Sequence, residues 1–132
     1  MAPEDTASSA VRVKLAKADK FLTVAEVAVS TDHRDAAVSL AVSAGVNYSD
    51  ALCLYRLGRR AAGSSHDDVF EMLRKCGGVG DAVARHHRRL LKNKSKAQYS
   101  TQECSAQEAK DAVQHAGRIG SLVHKEISKE WD

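Results

Sequence analysis

Apolar side chains recur along this chain at steps of three and four residues, the period of a helix that buries one face. Val11, Leu15, Ala18, Leu22, Ala25 and Val29 predict a first helix from about Ser9 to Val29. Lys14, Lys17 and Lys20 lie off that stripe and are predicted to face water. Residues 1–8 lack the pattern and read as a disordered tail ahead of a single domain over 9–132. Thr31 or Asp32 can cap a second helix running to about Ala44, and Gly45 reads as its stop. Asn47, with Asp50 three residues on, restarts the chain. The helix that follows, with Ala51, Leu52, Leu54 and Tyr55 before Gly58, is apolar on more than one side and is predicted to be central.

Gly63-Ser64-Ser65 breaks the pattern. Ser65 with Asp68 forms another cap, and Asp67 and Asp68 suit the positive end of a helix that carries Val69, Phe70, Met72 and Leu73. Gly77-Gly78 ends it, and a basic helix from about Val79 to Lys92 turns Val83, Leu90 and Leu91 inward. Residues 93–104 are polar and read as an ordered crossing loop anchored by Tyr99. Ser105 and Glu108 give the clearest capping box of the chain. Behind it, Ala109, Ala112, Val113, Ala116, Ile119, Val123 and Ile127 stripe one long helix. Five or six helices with short connections predict an all-α antiparallel bundle, without internal repeat or domain linker.

Composition agrees with that class. Aromatic residues are only 5% of the 132, proline appears once, and no Asn-Gly or Asp-Gly joins alternating apolar runs. No run reaches the roughly 20 apolar residues of a membrane span, and MAPEDTASSA lacks the apolar core of a signal peptide. Cys53, Cys76 and Cys104 are odd in number and form no CxxC pair, so a disulfide framework is not expected. Cys53 reads as a small core residue, and a reducing, cytoplasmic setting follows. Zinc ligand spacing and phosphate-binding glycine motifs are both missing, so neither metal nor cofactor is implied.

Net charge is a mild +3, but Arg85–Lys96 holds six Lys or Arg residues, two histidines and no acid. Arg85, Arg88 and Arg89, with His86 and His87 between them, form a candidate RNA-binding face, although a solvated charged face is the more frequent explanation of such a run. His115, His124 and Trp131 have ordinary surface readings. The segment richest in chemistry is Arg59-Arg60-Ala61-Ala62-Gly63-Ser64-Ser65-His66-Asp67-Asp68. Two arginines end one helix, a histidine opens the next, and a glycine-containing turn lies between. A guanidinium holds phosphate with fixed geometry, and an imidazole moves protons near neutral pH. The plainer reading is that the arginines complement a helix dipole and the histidine caps.

An arginine, five or six residues and a histidine on a turn between two helices resembles the R-x(4–6)-H signature of the HEPN (higher eukaryotes and prokaryotes nucleotide-binding) superfamily, in a bacterial branch. The run from Ala44 to Asp68 and the later Lys96-Ala-Gln-Tyr99 are similar to it as well, so that the resemblance covers about residues 8–127. It implies a metal-independent endoribonuclease, a toxin or defence effector, working as a homodimer on RNA and restrained by a cognate antitoxin protein. Carried over, His66 is the general acid or base, Arg60 stabilises the scissile phosphate, and Arg59 is a second phosphate ligand. Catalytic members often carry a polar residue after the motif arginine. Here Ala61 follows Arg60, whereas Arg60 itself fills that place if Arg59 is the motif arginine. Some members are non-catalytic interaction or nucleotide-binding modules, which is the alternative reading.

Overall fold

A computed structural model describes the backbone at residues 2–61 and 66–131, and side chains at 8–61 and 67–129. Over the described residues the chain is an all-α bundle of six helices: α1 (Ala2–Ser30), α2 (Arg34–Leu57), α3 (His66–Arg74), α4 (Gly78–Leu91), α5 (Lys94–Tyr99) and α6 (Ala106–Trp131). α1 starts at Ala2 rather than near Ser9, so helical backbone runs through most of the stretch expected to be a tail. Pro3 suits a helix start, since proline tolerates the first turn.

The predicted stripes form the core. Val11, Leu15, Ala18 and Ala25 of α1 are buried, as are Ala109, Ala112, Ala116, Ile119, Val123 and Ile127 of α6, while Leu22, Val29 and Val113 pack partly buried against them. Burying side chains of the Ile119 and Ile127 kind stabilises by roughly 1.5–3 kcal/mol each. α2 touches all five other helices, which makes it the centre of the bundle. By length and hydropathy α2 could cross a membrane, contrary to the expectation that no run is so apolar, but 67% of its most apolar window is buried inside the bundle.

The largest departure from the sequence reading is at Gly45, which does not stop a helix. α2 runs unbroken from Arg34 to Leu57, merging the two helices expected there. Gly45 is a contact point. A Cβ there would stand 2.3 Å from Leu90 Cδ2 and 3.3 Å from His87 Nδ1, so the missing side chain lets α4 lie against α2. The expected caps shift too. His33, not Thr31 or Asp32, is the N-cap residue of α2, and it makes no side-chain cap bond. The Thr31 hydroxyl instead donates back to the Val27 carbonyl at 2.9 Å, closing α1, and Asp32 takes φ 59° in the tight corner.

Two further readings change. Lys14 is not simply solvated: its Nζ lies 3.2 Å from Asp50 Oδ2, a mostly buried carboxylate on α2. Tyr99 does not anchor the 93–104 segment, since it is 78% exposed. Half of that segment is α5, and its fastening is polar. Lys96 Nζ reaches Glu108 Oε1 at 2.9 Å, Arg34 pairs with Glu103, and the Cys104 amide donates to Asp35 Oδ1 at 2.9 Å. The capping box at the start of α6 is formed in full. The Glu108 amide donates to Ser105 Oγ at 3.0 Å, and the Ser105 amide donates to Glu108 Oε1 at 2.7 Å.

Candidate functional site

α2 ends in a left-handed turn. Gly58 takes φ 73°, which costs a glycine little, and its amide donates to the Leu54 carbonyl at 3.0 Å. The chain therefore leaves the central helix at a fixed angle, with Arg59 and Arg60 both exposed directly after the turn. Ala61 is tucked back against the core. Arg59, Arg60 and Ala61 form one wall of a cleft of about 500 Å³, and Asp68, Glu71, Met72 and Lys75 form the other. His66 is the first residue of α3; its side chain, the Gly63-Ser64-Ser65 turn and the Ser65–Asp68 cap lie outside the described residues.

The basic helix divides in two. Arg85 and Arg88 lean toward α3 and, with Phe70, Arg74, Asp81 and Ala84, line a second cleft of about 300 Å³. The Arg88 guanidinium lies 4.5 Å from the centroid of the Phe70 ring, a cation–π contact that holds its plane while leaving N–H groups for a ligand. Arg89 points to the other side, into a cleft of about 350 Å³ against α6 that includes Lys92, Asp111 and His115. His87 is not available to RNA: it is wholly buried and meets the edge of Phe70 with centroids 5.5 Å apart.

His86 and His115 form a pair that their sequence separation conceals. Their Nδ1 atoms are 3.1 Å apart and their ring centroids 5.3 Å, joining α4 to α6. Burial first, and then neighbouring positive charge, holds both imidazoles below the usual histidine range. His124 also has a partner, Asp19 Oδ1 at 2.8 Å, beside the Tyr48 hydroxyl that donates to the same carboxylate. The three cysteines are buried and free. The Cys53 thiol is pushed up by its bond with Cys76 and by burial, and that of Cys104 to about 11 by burial and by Asp35. These two thiols are therefore protonated core groups and not nucleophiles.

Compared with protein-family models and with curated proteins, the chain matches none.

Proposed function

We propose that this protein is a metal-independent endoribonuclease of the HEPN kind, a cytoplasmic toxin or defence effector that acts as a homodimer and is restrained by a partner protein. The observation that supports this most is the exit of α2: Arg59 and Arg60 stand exposed on an open cleft whose facing wall is the helix that His66 begins. In this reading His66 removes the proton from an RNA 2′-hydroxyl. The 2′-oxygen attacks the adjacent phosphorus and the P–O5′ bond breaks. A proton returned to the departing 5′-oxygen completes a 2′,3′-cyclic phosphate and a free 5′-hydroxyl. Arg60 offsets the charge that develops on the phosphoryl oxygens, and Arg59 holds the same or the neighbouring phosphate. Arg85, Arg88 and Arg89 carry the flanking strand. A second reading, a non-catalytic interaction or nucleotide-binding module, is favoured by Asp68 and Glu71, whose carboxylates on that cleft repel a polyanion. Incubating the purified protein with a broad pool of cellular RNA in EDTA separates the two: cutting supports the nuclease, and intact RNA supports the module.

Two further outcomes are expected. Replacing Arg88 and Arg89 together by alanine removes one cation from each of two clefts. Binding to single-stranded RNA weakens, and the log–log salt slope flattens by roughly 1.4, at ~0.7 for each phosphate that is no longer neutralised. Fluorescence anisotropy across a salt series measures this, and an unchanged slope returns α4 to a merely solvated face. Sedimentation at micromolar concentration is expected to report a dimer, twice the 14.3 kDa chain mass. The apolar Ala51–Tyr55 stretch is not offered as its interface, because Ala51, Leu52 and Cys53 are buried within the protomer's own core.

A further inference from the structure

The strongest feature outside the arginine–histidine turn is the His86–His115 pair. Two Nδ1 atoms 3.1 Å apart can share one hydrogen only if the rings are in opposite states. One ring donates from Nδ1 and keeps a bare Nε2, and the other accepts at Nδ1 and carries its hydrogen on Nε2. The charged groups that face the pair come from the two helices that hold it. α4 contributes Arg85 and Arg89, and α6 contributes Arg118 and Asp111. Arg89 and Arg118 act on both imidazoles and Arg85, which leans toward α3, on His86 alone; the carboxylates are Asp111 and, on the wall of the same cleft, Glu108, which Lys96 and the Ser105 amide already engage. Asp111 is itself engaged, accepting a hydrogen bond from Gln107 Nε2 at 2.8 Å. Arg89 and His115 both border the cleft between α4 and α6, where Lys92 adds a further cation.

Positive neighbours and partial burial both oppose protonation of the imidazoles, so the pair stays neutral near pH 7. A ligand that supplied negative charge would relieve the arginines and let the pair take up a proton. A dication would meet the opposite field. Among the described residues no group of three His, Cys, Asp or Glu side chains comes together to hold one.

We propose that His86 and His115, with Arg89 and Arg118, form a phosphate-binding site between α4 and α6, separate from the Arg59–Arg60 cleft and tightened by proton uptake. The phosphate belongs to a free phosphate monoester or to a nucleic-acid backbone, which present the same oxygens. The sign of the pH dependence follows from the cluster. Bound phosphate raises the imidazole pKa values above those of the empty site. For a phosphodiester, which does not titrate in this range, affinity therefore climbs as pH falls through the bound-state values and levels off below the empty-site values; a phosphate monoester takes up a proton of its own at about pH 6, which offsets the climb. Uptake of one proton makes the climb about tenfold per pH unit.

The test is a titration of the full-length protein, followed through the imidazole C–H resonances in NMR, at pH 5.5 and 7.5. The probes are inorganic phosphate in one arm and a short oligouridylate in the other. Saturable shifts of both His86 and His115 are expected in at least one arm, with affinity for the oligouridylate higher at pH 5.5, and the arm that saturates at lower concentration identifies the source. Arg118→Gln changes an exposed side chain and is expected to keep the helical circular dichroism while weakening binding at least threefold. His115→Gln is expected to abolish the pH dependence. Failure of both probes to move either histidine at either pH overturns the proposal. So does tight Zn²⁺ binding by the pair without any phosphate response, which would assign it to a metal. Either failure leaves the nuclease reading standing, because RNA cutting at the Arg60–His66 turn is scored in a separate assay.

Discussion

Wild-type protein is expected to cut RNA in EDTA, and His66→Ala to lower that rate by roughly 100-fold or more, the usual loss when a general acid–base group is removed. Arg60→Ala is expected to cost roughly 100- to 1,000-fold, because the charge it offsets exists mainly in the transition state. Comparing Arg60→Ala with Arg59→Ala identifies the phosphate-stabilising arginine. The larger fall in kcat marks it, whereas a rise in KM alone marks a binding group. A single 2′-deoxy nucleotide at the scissile position removes the nucleophile and should stop cutting there, and one product should end in a 2′,3′-cyclic phosphate. Both arginines are exposed beyond the last turn of α2, so their variants should keep the helical circular dichroism of the parent. Equal cutting by His66→Ala would place the chemistry elsewhere. A pure wild-type dimer that leaves every RNA intact would turn the function to the interaction module.

The largest expected effect on stability comes from one methyl group. Gly80 lies in the first turn of α4, where a Cβ would stand 1.9 Å from the Leu73 carbonyl oxygen and 2.8 Å from the Cys76 Cβ. The nearer obstacle is backbone, so no side-chain rotation relieves the clash. Gly80→Ala must push α4 away from the end of α3, disturbing the Leu73 and Val83 packing on either side. Overpacking of this kind costs about 3 kcal/mol or more. For a domain of this size that lowers Tm by roughly 10 °C. Thermal melting followed by circular dichroism reads it directly. Gly117→Ala, which meets nothing within 4 Å, is the matched control and should melt with the parent or slightly above it. Equal melting of the two variants would mean that α3 and α4 do not approach this closely in solution.

What could be read in the sequence was the face of each helix. The stripe from Val11 to Val29, the stripe from Ala109 to Ile127 and the Ser105–Glu108 box depend on residues within one or two turns, and all three stand in the structure as the spacing predicted. What failed depended on a distant partner. A lone glycine after an apolar run is the same signal for a helix stop and for a close helix contact, and only Leu90 decides for the second at Gly45. Lys14 reads as solvated until Asp50 of α2 is placed beside it. Tyr99 looks like an anchor because aromatics usually bury, yet Cys104 and the Asp35 carboxylate fasten that segment. For the candidate site, the end of one helix before two exposed arginines and the start of the next at His66 were readable. The division of the basic helix into a Phe70 side and a His115 side was not, and nothing local announces that His86 and His115 meet. The one available hint was that each histidine sits off the apolar stripe of an amphipathic helix.

The unbroken course of α2 makes it a lever. From Gly45, where α4 bears on it, to Gly58, where the arginines begin, the rise of an α-helix gives an arm of about 20 Å. A tilt of about three degrees at the Leu90 contact therefore swings Arg59 and Arg60 by about 1 Å, the scale of misplacement that can cost a positioned group about 100-fold. Whatever Arg59 and Arg60 do, their aim is set from the middle of the bundle. Repacking Leu90 or its neighbours to gain thermal stability thus detunes those two side chains before it unfolds the chain, and selection on the arginines reaches back through the helix to residues that never touch a ligand.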